Sequence, residues 1–395
     1  MVINDPVKTN VHDTRQHLAN AKQQAKDRNL TDYTIVDVDA HHYETESWGD
    51  IVKYIEDPVI RYAAEAGINK AFSGGMHSMV PSQLQSQDMS GRITRYHDRK
   101  LEKEDEGMPR EVSLMRRSMD MMGIDYTVLF PTPLLNLGLH PAVEMEVALG
   151  RAYTRWITEN ILSVEDRIKT LVYLPFNDPE ASVKMIEEFG HKKGVVGFMI
   201  TSVRYKPVHH NHYMKVYAAI EETGLPLGFH AAYNWHGDRS MEQLNKFISV
   251  HALGFPFYNM IHMTNFVING IPERFPKLKV MWIESGLAWI PFLMQRLDNE
   301  YMMRTSEAPA LTKLPSDYMR EFYYTSQPME QINNHEMLKA TFNMINAENQ
   351  LLYSSDWPHW DFDLPRTIYD LPFVSEQGKR NILGETALQL FRLKS

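Results

Sequence analysis

The sequence predicts an α/β fold, a (β/α)8 TIM barrel with an N-terminal helical arm and a long insertion after the first strand. Eight short β-rich runs alternate with longer segments of helical periodicity over most of the 395 residues. Such alternation is typical of parallel strands joined by helices, and eight repeats of the unit favour closure into a barrel. The first run, YTIVDVD, is continuously rich in β-forming residues, as expected of a strand buried on both faces.

Two parts of the chain lie outside this regular alternation. Residues 1–30 are the predicted arm, with a helix over about 13–26, and residues 31–395 are the predicted barrel domain. Within that domain an insertion covers about residues 47–110, and it is polar and irregular. A stretch of this length without regular structure is unusual in a compact domain unless it has a function.

Strands and helices then alternate in chain order. Gly123 is a favourable residue for ending the helix before the second strand, and Pro358 ends the last strand near Asp356 because proline has no N–H to donate. The predicted strands are residues 33–39, 125–130, 168–174, 195–200, 225–229, 279–283, 322–325 and 351–355. The predicted helices that follow them are residues 110–122, 141–163, 179–188, 213–223, 240–269, 289–303, 329–342 and 378–391.

The composition excludes several classes of function. The formal net charge is −9 with acidic and basic residues interspersed, which argues against nucleic acid as a partner because phosphate binding needs a concentrated basic face. The chain has no cysteine, so disulfides, cysteine-ligated zinc, iron–sulfur clusters and thiol nucleophiles are excluded. No apolar run reaches the roughly 18 residues of a membrane span, and no signal-type segment begins the chain, so we expect a soluble cytoplasmic protein with no membrane partner.

The end of the first predicted strand carries three candidate side chains. Asp37, Asp39 and His41 are two residues apart in DVDAHHYE, so on an extended backbone they share one face. An Asp-x-His pair at a strand end is a metal-type signal, and in an α/β barrel the active site lies at the carboxyl ends of the strands. In the alternative interpretation, Asp39 caps a turn and His41 lies on a surface loop.

Three further strand ends carry an imidazole or a carboxylate, namely His230 after the fifth strand, Glu284 after the sixth and Asp356 after the eighth. The alternative for His230 is a hydrogen-bonded core residue, and for Asp356 a cap of the next turn. A buried acid is costly unless a partner or a metal ion satisfies it. Mixed Asp and His ligation suits Zn(II), Mn(II) or Fe(II). Such an ion lowers the pKa of a bound water towards about 7, and Asp356 is a candidate to bind the ion and to take that proton.

Several motifs resemble those of a known family. They are VDVDAHHYE at the first strand, LPLGFHA at the fifth, INGIPERFPKLKVMWIESGLAWIPFLMQRLDNEY around the sixth, LLYSSDWPHWD at the eighth and NILGETALQLFRL in the last helix. Over roughly residues 33–393, apart from the insertion, the chain resembles the "amidohydrolase 2" branch of the amidohydrolase superfamily, which includes aminocarboxymuconate semialdehyde decarboxylase. The resemblance implies Asp39, His41, His230 and Asp356 as the metal ligands. For the one divalent ion we predict zinc, with manganese as the alternative.

Two residues depart from the pattern of that family. Its commoner first-strand motif is His-x-His, or Glu-x-His in several decarboxylases, where this chain has Asp39 and His41. Family decarboxylases tend to have a histidine at the end of the sixth strand, where this chain has Glu284. An anionic carboxylate protonates a carbanion-like carbon poorly unless burial raises its pKa, so Glu284 favours hydrolysis over decarboxylation.

Four other residues are candidates for the site. His359 is expected to orient Asp356 or to contact substrate, and His236 follows His230 closely enough to cover the site. Glu44 lines the pocket in one interpretation and is a solvated loop acid in the other. Arg204, just after the fourth strand, is placed to bind a substrate carboxylate with two hydrogen bonds, or else is a structural ion-pair partner.

The leading functional prediction is a metal-dependent hydrolase, in which a metal-bound hydroxide attacks a small, carbonyl-containing, aromatic or cyclic substrate. Asp356 shuttles the proton, and Glu284 and His359 are the other predicted catalytic residues. The alternative is a metal-dependent nonoxidative decarboxylase of an aromatic or unsaturated carboxylic acid, and the third possibility is a non-catalytic binding protein. The arm, the insertion and the family resemblance also predict a homo-oligomer, a dimer or larger.

Overall fold

Eight parallel strands form a nearly closed barrel, which confirms the predicted fold class. The structure, a computed structural model, describes residues 11–68, 98–100, 103–201, 203, 205–232, 240–244, 247–330 and 335–394. The barrel strands are β1 (Val36–His42), β2 (Tyr126–Pro131), β3 (Ile168–Tyr173), β4 (Val195–Ile200), β5 (Leu227–His230), β6 (Val280–Ile283), β7 (Tyr323–Thr325) and β8 (Leu351–Leu352). Each strand pairs in parallel with the next along the chain, so the order around the sheet is β1 to β8.

The helices lie around this barrel and follow the predicted order. They are α1 (Thr14–Asp27), α2 (Arg110–Met122), α3 (Val143–Asn160), α4 (Pro179–Phe189), α5 (Met214–Thr223), α6 (Phe247–Ile268), α7 (Trp289–Met303), α8 (His335–Met344) and α9, which joins Glu376–Arg380, the π-helical Asn381–Glu385 and Thr386–Phe391. Further helices occupy Trp48–Ile51, Pro58–Ile68, Ile271–Arg274, Pro315–Met319, Ala347–Gln350 and Arg366–Tyr369. Gly123 ends α2 with a φ of 77°, as predicted. Within the described ranges, no helix combines the length and the apolarity needed to cross a membrane.

The described parts of the arm and the insertion contact each other. Val11–Asp13 pairs in parallel with Asp98–Lys100. Asp13 then caps α1, because its side chain accepts a hydrogen bond from the N–H of Arg15 at 3.1 Å. The arm and the insertion are thus held together by this strand pair.

Main-chain hydrogen bonds between β1 and the residues after β8 complete the barrel. The N–H of Val38 donates to the carbonyl of Tyr353 at 3.0 Å, and the N–H of Asp356 donates to the carbonyl of Asp39 at 2.8 Å. The last strand, predicted over residues 351–355, therefore pairs regularly with β7 only in its first two residues and bonds β1 through Tyr353 and Ser355.

A glycine in α9 allows that helix to lie against the start of β1. A Cβ at Gly384 would overlap the carbonyl oxygen of Thr34. In the same π-helical turn, the carbonyl of Ile382 accepts a hydrogen bond from the N–H of Tyr353 at 2.8 Å. The last helix thereby holds the segment that closes the barrel.

We expect Gly384→Ala to lower the free energy of unfolding by about 1–3 kcal/mol, because the added methyl group forces α9 away from β1. Urea denaturation measures the change. The matched control is Gly49→Ala, since a Cβ at this exposed helical glycine would meet nothing within 4 Å. The control should be neutral or stabilising by up to about 1 kcal/mol, and equal stability of the two variants would contradict the prediction.

Candidate metal centre

Four side chains from three strand ends converge at the mouth of the barrel. Asp39 and His41 come from β1, His230 ends β5, and Glu284 directly follows β6. The Oδ1 atom of Asp39 lies 3.1 Å from Nε2 of His41 and 3.3 Å from Nε2 of His230. The Oε2 atom of Glu284 lies 3.9 Å and 3.6 Å from the same two nitrogens. All four side chains are buried, so the alternative of a surface His41 is wrong, while His230 lies in the core and contacts Asp39.

Main-chain carbonyls fix the tautomers of both histidines. Nδ1 of His41 lies 3.0 Å from the carbonyl oxygen of Pro131, and Nδ1 of His230 lies 2.9 Å from that of Ala231. Because a carbonyl can only accept, each Nδ1 carries the hydrogen and each Nε2 turns a lone pair towards Asp39. Burial lowers the pKa of His41 and so keeps its imidazole neutral near pH 7.

The centre of this cluster is rich in acceptors. Burial raises the pKa of Asp39, whereas positive charge on the Nε2 side of His230 and His41 lowers that pKa to about 2, so the carboxylate is ionised when a proton or a metal ion supplies that charge. Among the described residues, Oδ2 of Asp39 and Nε2 of His41 have no hydrogen-bond partner. A buried carboxylate that faces imidazole lone pairs is unfavourable unless a cation lies between them. The donor set therefore fits a divalent metal ion.

Asp356 connects this cluster to His359. Its Oδ1 atom lies 3.2 Å from Nε2 of His41 and 2.6 Å from Nδ1 of His359. Nε2 of His359 lies 3.2 Å from Oγ1 of Thr132, which itself donates to the carbonyl of His42 at 2.9 Å. The rings of His41 and His359 are stacked with centroids 4.3 Å apart. His359 is thus in place to orient Asp356.

Glu284 and Asp356 share an unusual backbone conformation. Their φ angles are 54° and 59°, in the left-handed region that costs a residue with a Cβ roughly 1–2 kcal/mol. At Glu284 the turn is held by its N–H, which donates to Oγ1 of Thr325 at 3.0 Å. Such conformations cluster at functional sites, where the surrounding structure maintains them.

The structure separates Asp37 from Asp39 and His41, so the prediction of a shared face is wrong for Asp37. The pairing of β1 with β2 shifts register between Asp37 and Ala40, which breaks the simple alternation of side chains. The Asp37 carboxylate instead accepts hydrogen bonds from the N–H of Ser355 at 2.8 Å and from its hydroxyl at 2.5 Å. Burial raises the pKa of Asp37 to about 7, against these hydrogen bonds. Asp37 ties β1 to the segment after β8.

Glu44 holds the loop that follows β2. Its buried carboxylate accepts hydrogen bonds from the N–H of Thr132 at 2.8 Å and from the N–H of Leu134 at 2.6 Å. The alternative of a solvated loop acid is therefore wrong, while a contact of Glu44 with substrate stays a prediction. Arg204 and His236, the other two predicted substrate contacts, lie outside the described residues.

Three side chains that the sequence analysis did not single out support the site. Thr132 contacts His359, Ser355 bonds Asp37, and Thr325 holds the turn at Glu284. Of these only Ser355 had a signal in the sequence, since it directly precedes Asp356 in the strand-end motif.

Known proteins resemble this chain over most of its length. The Amidohydrolase family model matches residues 13–393. The gamma-resorcylate decarboxylase of Polaromonas sp. is 21% identical over 292 residues, 70% of this chain and 86% of that protein. The 2-amino-3-carboxymuconate-6-semialdehyde decarboxylase of Dictyostelium discoideum is 22% identical over 274 residues, 68% of this chain and 73% of that protein. A crystal structure of 5-carboxyvanillate decarboxylase from Novosphingobium aromaticivorans, with manganese and 4-hydroxy-3-methoxy-5-nitrobenzoic acid, has a TM-score of 0.65 at 19% identity and covers 92% of this chain and 97% of that one.

These relatives overturn the leading functional prediction. They are decarboxylases, so the prediction of a hydrolase is wrong, and the alternative of a carboxy-lyase is the better supported interpretation. Glu284 favours hydrolysis only if the residue at the end of the sixth strand must supply the proton. In the structure Glu284 faces two imidazoles instead, and a separate imidazole–carboxyl pair, His359 and Asp356, lies on the other side of His41.

We expect Glu44→Gln to lower the free energy of unfolding by about 1–3 kcal/mol, because the amide nitrogen of glutamine would face a main-chain N–H and leave it unsatisfied. Thermal and urea denaturation measure this change. The control is Glu106→Gln at an exposed acid, which should change stability by less than about 0.5 kcal/mol. Unchanged stability of Glu44→Gln together with weaker substrate binding would favour the predicted substrate contact instead.

Proposed function

The chain belongs to the amidohydrolase family, and we propose that it is a metal-dependent nonoxidative decarboxylase of a small aromatic carboxylic acid. The observation that carries the proposal is the convergence of Asp39, His41, His230 and Asp356 at the carboxyl ends of β1, β5 and β8, where a barrel enzyme has its active site. The decarboxylase relatives supply the class of reaction. An aromatic or unsaturated acid is the substrate class that their names share.

Asp39, His41, His230 and Asp356 would hold one divalent ion, and we expect manganese in preference to the predicted zinc. Carboxylate ligands suit Mn(II), and a crystal structure of a decarboxylase similar to this chain contains manganese. When bound, the ion supplies positive charge that attracts the substrate carboxylate and stabilises the electrons left on the ring. The carbonyls of Pro131 and Ala231 orient the two imidazoles for this task.

Decarboxylation replaces the carboxylate on a ring carbon by a proton. The carbon–carbon bond breaks and carbon dioxide leaves with both carboxylate oxygens. The electron pair of the broken bond stays on the ring carbon, which takes up one proton. We assign that proton to the pair formed by Nδ1 of His359 and Oδ1 of Asp356, 2.6 Å apart. Thr132 gives its only hydroxyl hydrogen to the carbonyl of His42, so it accepts from Nε2–H of His359 and fixes the ring in place. Arg204 stays a predicted contact of the substrate carboxylate, and His236 stays a predicted substrate-binding residue that covers the site.

The test is release of carbon dioxide by the manganese-loaded protein from a panel of hydroxylated benzoic acids. We expect one carbon dioxide per product, and one deuteron on the product ring in deuterated water. Chelation should abolish turnover and added Mn(II) should restore it. His359→Gln should lower kcat by about 10²–10⁴, the usual contribution of a proton donor, whereas His212→Gln at an exposed site should not change it.

Two results would contradict this function. One is the absence of carbon dioxide from every acid tested when metal analysis finds the ion bound. The other is solvent oxygen in a product made from an amide or a lactone.

A homo-oligomer, a dimer or larger, is part of the same proposal. The 22 residues of α6 include no Asp, Glu, Lys or Arg. On this helix the side chains of Ile248, Leu253 and Ile261 are 72%, 53% and 40% exposed. An uncharged helix with several exposed large apolar side chains is typically covered, and a second copy of the chain would cover this one. The arm and the insertion stay predicted contact surfaces.

We expect Leu253→Glu to shift the protein towards the monomer in sedimentation velocity, because a charge would have to be buried in the contact. The control is Val164→Glu, which places a charge at another exposed apolar side chain, outside α6. A wild-type protein that is monomeric at micromolar concentration would rule out the oligomer.

A further inference from the structure

We propose that Glu284 is a direct ligand of the metal ion, and that its carboxylate reduces the ratio of the Zn(II) affinity to the Mn(II) affinity at this site. The inference rests on the proposed metal centre. It gives a role to the residue at which the chain departs from the family pattern, where decarboxylases tend to have a histidine.

Glu284 belongs to the larger of two groups of donors that the described residues form in the barrel mouth. Its carboxylate can place one oxygen within 4.8 Å of donor atoms from Asp39, His41 and His230, and those three lie equally close to one another. Asp356 instead falls in a second group with His41 and His359. By proximity alone, Glu284 rather than Asp356 completes the set formed by the other three predicted ligands.

The distances fit ligation of one ion. Ligand atoms that each lie roughly 2.0–2.2 Å from a metal are separated from their neighbours by about 3–3.5 Å. Oδ1 of Asp39 is 3.1 Å and 3.3 Å from the two Nε2 atoms, which is already this separation. Oε2 of Glu284 is 3.9 Å and 3.6 Å from the same atoms, so a shift of a few tenths of an ångström brings it into the same shell.

The backbone holds Glu284 in this position. Its left-handed φ of 54° is maintained by the bond from its N–H to Thr325, and Gly286 follows with a φ of 71°. The next N–H groups, of Leu287 and Ala288, donate to the carboxylate of Glu330 at 3.0 Å and 3.1 Å. A turn fixed at both ends presents the carboxylate without a further loss of conformational freedom when the ion binds.

The added carboxylate changes the preference of the site. With Glu284 the ion would have three carboxylate ligands, the other two being Asp39 and Asp356, and the two imidazoles of His41 and His230. Without Glu284 only four ligands would remain. Zn(II) binds well to four donors that include imidazole, and Mn(II) prefers oxygen donors and a higher coordination number. Zn(II) binds most sites more tightly than Mn(II), so the expected effect of Glu284 is on the ratio of the two affinities.

The test measures metal binding in the absence of substrate. Apo protein is titrated with Mn(II) and with Zn(II), and the bound Mn(II) is examined by electron paramagnetic resonance. For Glu284→Gln we expect at least a tenfold weaker affinity for Mn(II), a smaller loss for Zn(II), and a changed spectrum of the bound Mn(II). His230→Ala is the positive control and should lose the ion. Glu146→Gln is the matched control, since Glu146 is a fully buried acid on α3 outside the site and should leave both affinities unchanged.

A second variant separates ligation from simple attraction of charge. Glu284→Asp keeps the negative charge but shortens the side chain by one methylene, so a direct ligand loses its reach and the Mn(II) affinity falls. Wild-type affinity and an unchanged spectrum in Glu284→Asp would overturn the proposal, and so would the same result in Glu284→Gln. Circular dichroism establishes that each variant is folded.

The metal-binding test of Glu284 does not depend on which reaction the protein catalyses. If Glu284→Gln loses Mn(II) as expected while no acid releases carbon dioxide, the ligand assignment stands and the decarboxylase does not. If the wild-type protein releases carbon dioxide and Glu284→Gln binds Mn(II) normally, only the ligand assignment fails.

Discussion

The site depends on the seam where β1 meets the segment that follows β8. Main-chain hydrogen bonds from Val38 to Tyr353, from Asp356 to Asp39 and from His41 to Trp357 cross this seam. The carboxylate of Asp37 adds hydrogen bonds to both the N–H and the hydroxyl of Ser355. Because these bonds fix the positions of Asp39, His41 and Asp356, residues more than 300 positions apart in the chain meet with ångström accuracy. Loss of the seam would separate the two halves of the metal centre.

The same seam brings together groups that repel each other in the absence of a cation. Buried carboxylates and imidazole lone pairs converge on one point, and main-chain carbonyls prevent both imidazoles from turning their hydrogens inward. Burying such groups destabilises the folded chain, and an ion that binds only the folded state recovers this free energy. The stability of the protein and the occupancy of the site are thus linked, which is common in proteins whose metal ligands come from distant parts of the chain.

Glu284 and the pair of His359 and Asp356 divide two tasks between them. A carboxylate beside the ion adds negative charge where electrons must be stabilised, so it weakens the attraction of the site for an anionic substrate. In the proposed reaction the proton for the ring carbon would come from another direction, through His359, whose ring stacks on His41. The proposed reaction therefore does not rely on a histidine at the end of the sixth strand.

The sequence alone determined the order of strands and helices, because the alternation of β-rich and helical segments is a local property of the chain. It also marked Asp39, His41, His230, Glu284 and Asp356 as candidate site residues, since polar groups at the ends of apolar strands are visible without a structure. Only the tertiary structure decided how these residues group. A register shift in β1 turned Asp37 to Ser355, a left-handed turn brought Glu284 to the two histidines, and Glu44 bonded the loop after β2. The register shift and the left-handed turn depart from ideal strand geometry. Like the contacts of Glu44, they depend on packing and hydrogen bonds between segments that are distant in sequence.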